Sequence, residues 1–195
     1  MFLTEFLTTS FQNVRSSKRT DELHKALLND ILNQNPDLAE YTWEFEYQLK
    51  EDAFGGTFDI DIVGFDADGE MRVAILAKAI NSNVNKNIKN YANTTIGEAA
   101  RLYYAPNCQQ IQKVLFVSIL PRVAPRFDNS GIVTGFDDVV GAKNRTKIDD
   151  VLQRQYGGIV ETVDLFFDIA HVDKCEHKDN FNTITPLNLD AVPVV

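Results

Sequence analysis

The chain has 195 residues, 44% of them hydrophobic and 24% charged, and a formal net charge of −9. Those proportions are those of an ordinary globular protein, and no apolar run approaches the roughly 20 residues of a membrane-spanning helix. The acidity argues against a general nucleic-acid coating protein.

The opening segment "MFLTEFLTTSF" carries Glu5 and no basic leader, so it does not read as a signal peptide. Two cysteines far apart in sequence, Cys108 and Cys175, offer no disulfide framework and suit a reducing compartment. A cytoplasmic location is the expectation. One domain is expected over 1–195, with a core at about 20–170 and an extended tail over 180–195.

In chain order, the first clear element is a helix over "TDELHKALLNDILNQN". Thr20 or Asp21 caps it, and Leu23, Leu27, Leu28, Ile31 and Leu32 form a stripe at helical spacing. His24 on this helix reads as structural, as does His171. "YTWEFEYQL" alternates, with Tyr41, Trp43, Phe45, Tyr47 and Leu49 on one side and polar residues on the other, which predicts a strand with one polar face. Strands are then predicted over 57–65 and 71–79, joined across "DADGE", where Asp-Gly is a strong hairpin signal.

The Asn-rich segment 81–93 has poor helix propensity at its start, and a helix is expected over "TIGEAARLYYA". "KVLFVSIL" is a continuous apolar run, as in a strand buried on both faces, with Pro121 as its stop. "RVAPRFDNSGIVTGFDD" reads as a long loop. A helix around Ile148, Val151, Leu152 and Tyr156 follows, with Gly157 as its stop, then a strand in "IVETVDLFFDIAHV" and an extended tail "PLNLDAVPVV". The class implied is α/β, with a mixed sheet flanked by helices.

Strand alternation puts Asp59 and Asp61 on one face, and Ala74, Leu76 and Lys78 share a face of the partner strand. A short hairpin can bring Asp61 and Lys78 together, although the register depends on the turn. This layout, "DIDIVGFDADGE" followed by "VAILAK", resembles the PD-(D/E)XK, or restriction-endonuclease-like, nuclease superfamily. The inferred order of helix, three strands, helix and strand (αβββαβ) matches that family's core over about 20–120.

The resemblance implies a metal-dependent DNA endonuclease using Mg²⁺ or Mn²⁺, with Asp61 as metal ligand and Lys78 as the catalytic lysine. Phosphodiester hydrolysis needs a Lewis acid, which hard carboxylate oxygens can hold, and a cation to steady the developing charge. The sequence departs from the family where the acid of the acid-any-Lys motif should stand, because Leu76 occupies that position.

Glu98, on the following helix, is the candidate replacement. Asp59, Glu44 or Glu46 can lean in from neighbouring strands, and Glu22 matches a glutamate that some branches carry on the first helix. The alternative is a catalytically inactive protein of the same fold that binds nucleic acid or a protein partner.

Residues 78–147 carry ten lysines and arginines against four acids, so the middle of the chain is basic while the rest is strongly acidic. Lys86, Lys89, Arg101, Arg122, Arg126, Lys143, Arg145 and Lys147 are the candidate phosphate contacts, DNA the expected partner, and a homodimer a further possibility. Cys175 and His177 in "KCEH" lack partners at zinc spacing and make a weak metal motif.

Overall fold

The computed structural model describes residues 2–11, 18–140, 144–181 and 183–192; the side chains of 18–20, 88, 89 and 144–146 also lie outside the description. It has mixed α/β architecture around a six-stranded sheet. Two helices open the chain, α1 (Phe2–Ser10) and α2 (Lys18–Gln34). No element is expected from sequence over α1, yet Leu3, Phe6 and Leu7 bury one of its sides. The main-chain N–H groups of Phe2 and Leu3 donate to the Asp30 carboxylate of α2, an anion at a helix N-terminus. The stripe anticipated on α2 is the buried one, with Leu23, Leu27, Leu28 and Ile31 in the core.

The sheet is β1 (Thr42–Leu49), β2 (Phe58–Phe65), β3 (Met71–Ala79), β4 (Lys113–Pro121), β7 (Val160–Ile169) and β8 (Pro186–Leu187), in that spatial order. The first three strands form an antiparallel meander, β4 lies parallel to β3, and β7 lies parallel to β4. The expected sequence of helix, three strands, helix and strand is present as α2, β1, β2, β3, α3 (Val84–Tyr103) and β4. In β4 every residue from Val114 to Pro121 is buried, as its unbroken apolar run requires.

Three expectations change. Helix α3 begins at Val84, inside the Asn-rich segment. Its start is anchored from outside: the Asn83 side chain accepts the Phe127 N–H at 3.0 Å, and Asp137 accepts the Asn85 N–H at 3.2 Å. Tertiary anchoring of this kind overrides weak propensity.

The second change is that the supposed loop 122–138 is a hairpin, β5 (Val123–Phe127) with β6 (Val133–Asp138). Its turn is built by Asp128, whose carboxylate accepts the N–H groups of Ser130 and Ile132, with Gly131 at φ +85°. Later elements are α4 (Asn144–Tyr156) and the short α5 (Lys178–Phe181), and the tail forms the edge strand β8.

The third concerns β1. Trp43 and Phe45 pack with α1 and α2, whereas Tyr47 and Leu49 pack with α3 and α4 on the other side of the sheet. In β2 the same change falls between Ile60 and Ile62. One continuous apolar face was expected on β1; the strands instead rotate between these pairs. The left-handed residue Glu46, at φ +51°, sits at the pivot. Beyond it, Gly64 makes room for the Trp43 ring, since a Cβ there would lie 2.9 Å from the indole.

Candidate metal centre

The pivot is also where charged side chains meet. Phe45 pairs with Ile62 and Tyr47 with Ile60, so Glu46 and Asp61 stand opposite each other across β1 and β2. Pairing of β2 with β3 runs to Ile62 and Ile75 and then stops, and continuing that register would set Leu76 across from Asp61. Instead the Asp61 side chain spans the gap, and its Oδ2 accepts the Ala77 main-chain N–H at 2.6 Å.

Asp61 is only 28% exposed. Burial pushes its carboxyl above the usual range; the Ala77 N–H and His24 pull it down, and the neighbouring Glu46 pushes it up.

His24 closes this group from α2. It is fully buried, with Nδ1 2.8 Å from Glu46 Oε1 and Nε2 3.7 Å from Asp61 Oδ2. Nε2 has no hydrogen-bond partner. One donor atom from each of His24, Glu46 and Asp61 lies within 4.8 Å of the others, so the three could hold a metal ion. His24, expected as a structural residue, is buried and hydrogen-bonded to Glu46 as that reading requires, and it is also a candidate metal ligand. The overlooked signal was its position: an ionisable ring spaced with Leu27, Leu28 and Ile31 lies on the apolar stripe of α2 and must be satisfied inside the protein.

Lys78 lies exposed near the end of β3, with Leu76 and Ala74 on the side that packs toward α3. Glu98 of α3 is half-buried. Burial pushes its carboxyl up, repulsion from Asp61 adds to this, and Lys78 and Arg101 oppose it. Glu98 thus shares an electrostatic environment with Asp61 and Lys78, without joining the His24–Glu46–Asp61 group. Asp61 stands between the two sets.

The other acids lie apart. Asp59 is exposed and accepts a hydrogen bond from Gln48 at 3.1 Å. Glu44 and Glu22 are exposed and lie outside the converging donor group. Cys175 is buried, and its thiol donates to the His177 carbonyl.

The basic residues divide sharply. Lys86 and Lys147 are exposed. Arg101 pairs with Asp52, donates to the Thr57 carbonyl at 2.7 Å and lies over the Phe58 ring. Arg122 binds Asp190, Asp168 and the Asn188 carbonyl, which fastens the C-terminal segment to β7. Arg126 faces Asp137 at 3.4 Å. These three guanidinium groups are already neutralised by carboxylates, a poor state for gripping phosphate. Lys143, and the side chains of Lys89 and Arg145, lie outside the described residues.

No known protein family matches the chain, and no curated protein matches it in sequence. Among the described residues no helix is long and apolar enough to cross a membrane.

Proposed function

We propose that the chain is a metal-dependent hydrolase of phosphodiester bonds in DNA, built on a restriction-endonuclease-like core. The observation that carries the reading is the position of Asp61. It sits where β2 and β3 part, within reach of His24 and Glu46, and its charge acts on Glu98, on which Lys78 also acts.

A buried imidazole whose Nε2 lacks a partner, with the Asp61 carboxylate 3.7 Å from that nitrogen and Glu46 on Nδ1, suits a divalent cation. Asp61 would hold it with His24 and Glu46 alongside, and Mg²⁺ or Mn²⁺ would supply Lewis-acid polarisation of the phosphoryl group. Lys78 brings an ammonium to the edge of the site, where it steadies the negative charge that grows on the phosphate. Glu98 stands in for the acid that Leu76 lacks. Half-buried and under the influence of the Lys78 charge, it would orient the attacking water and take its proton. Cutting both strands of a duplex would call for a second copy of the chain.

A second reading, a non-cleaving protein of the same core, is favoured by Leu76 and by the neutralised Arg101, Arg122 and Arg126. Incubating supercoiled plasmid with the protein and Mg²⁺ or Mn²⁺ separates the two. The hydrolase nicks or linearises the plasmid, and Asp61→Asn abolishes this. Binding without cleavage under both metals supports the second reading.

A further inference from the structure

We propose that this centre selects a first-row transition ion such as Mn²⁺ over Mg²⁺, with His24 Nε2 and Asp61 as ligands and Glu46 as the carboxylate that orients the ring. The inference rests on the hydrolase reading only in taking Asp61 as the metal carboxylate.

Glu46 Oε1 lies 2.8 Å from His24 Nδ1, a hydrogen-bond distance, and a carboxylate can only accept there, so the neutral ring that a metal ligand requires would carry its proton on Nδ1 and offer the lone pair on Nε2. That lone pair points toward Asp61 Oδ2 across 3.7 Å, inside a residue with no solvent exposure, and finds no donor. With the ring neutral, Nε2 and the Asp61 carboxylate are two acceptors that repel, and a cation between them would relieve this.

A proton on Nε2 would not make a hydrogen bond across that gap, which exceeds the roughly 3.2 Å limit for N–H···O. A metal ion bridges it more naturally. Two ligands each about 2.1 Å from one ion, at angles between a right angle and a tetrahedral one, lie roughly 3.0–3.4 Å apart. A shift of a few tenths of an ångström closes the difference.

The carboxylate–imidazole–metal chain is a recurrent way of fixing a ligand's tautomer and raising its basicity. Glu46 is held for this role by a left-handed backbone at φ +51°, a costly conformation of the kind retained at functional sites. The donor type then decides the ion: Mg²⁺ asks for oxygen ligands, whereas imidazole suits transition metals.

The test is a calorimetric titration of the metal-free protein with MnCl₂ and with MgCl₂, joined to pulsed electron paramagnetic resonance of the Mn²⁺ complex. We expect Mn²⁺ to bind at least tenfold more tightly than Mg²⁺ and to show coupling to an imidazole nitrogen. His24→Asn should lose that coupling and bring the two affinities together. The unsubstituted protein's spectrum decides the matter even if His24→Asn does not fold.

Equal affinities, failure to bind Mn²⁺, or bound Mn²⁺ without nitrogen coupling would overturn the proposal. DNA cleavage with Mg²⁺ and no nitrogen coupling would keep the hydrolase and remove His24. Nitrogen-coupled Mn²⁺ without cleavage would keep the metal centre and remove the hydrolase.

Discussion

At the residue scale, Asp61 is a carboxylate that the fold uses at a cost. Its folded carboxyl ionises less readily than in the unfolded chain, mainly because it is buried. As pH rises above its ordinary value of 3.8, the unfolded state loses the proton first. Stability of the metal-free protein therefore falls until the folded group has ionised too. Glu98 acts in the same direction from its ordinary value of 4.5. Asp61→Asn should accordingly raise the melting temperature of metal-free protein at neutral pH and flatten this fall. An Asp61→Asn protein that melts lower than its parent at pH 7 would show that the charge is better stabilised than its burial implies.

Leu76 is the second residue-scale question. It falls across from Asp61 in the continued register, with Glu98 in the electrostatic neighbourhood of Asp61 and Lys78. If Glu98 has taken over the missing acid, Glu98→Ala lowers the cleavage rate by about a hundredfold, the low end of what a general base contributes. Leu76→Glu in that background should restore part of it. Single-turnover cleavage of a labelled duplex reads both effects, and a Glu98→Ala protein of undiminished rate would return the question to Leu76.

At the element scale, the decisive event is the rotation of β1 and β2 at Glu46 and Asp61. It brings both carboxylates to the side chain of α2 while the flanking aromatics divide between the two layers. The cost of a left-handed non-glycine residue is about 1–2 kcal/mol. Glu46→Gly and Glu46→Ala remove the same carboxylate, yet the glycine variant should be more stable by about 1 kcal/mol in urea unfolding. Equal stabilities would mean that the backbone relaxes once the glutamate is gone.

This rotation also marks the limit of what the sequence reveals. The meander, the Asp-Gly turn and the buried β4 were legible because apolar alternation, turn chemistry and an unbroken apolar run are local signals. The places of Asp61 on β2 and Lys78 near the end of β3 were legible for the same reason. The face change was not, since "YTWEFEYQL" alternates perfectly and a single dihedral leaves no trace in the pattern. His24 became meaningful only when two distant strands were brought against α2. Helix α1 escaped because its start is fastened by Asp30, far away in sequence, and the β5–β6 hairpin because β5 is tied to the distant Asn83 through the Phe127 N–H.

At the scale of the whole molecule, charge limits how DNA can be held. The net charge is −9, and Arg101, Arg122 and Arg126 are paired with carboxylates inside the fold. Among the described basic side chains expected to contact phosphate, Lys86 and Lys147 are exposed. Lys86→Ala and Lys147→Ala should each reduce the slope of log affinity against log salt by about 0.9. A slope that neither substitution alters would place the nucleic acid on another surface.

In the proposed hydrolase, His24 and Asp61 hold the metal and Lys78 serves the hydrolysis alone. The most direct measurement is single-turnover cleavage of a labelled duplex by wild type and Lys78→Ala, both saturated with Mn²⁺. Lys78→Ala should keep the Mn²⁺ affinity of the wild type and cleave more slowly by about a hundredfold to a thousandfold, the loss typical of removing one charge-stabilising group. Cleavage by Lys78→Ala at the wild-type rate, or no cleavage by the wild type at all, would contradict this.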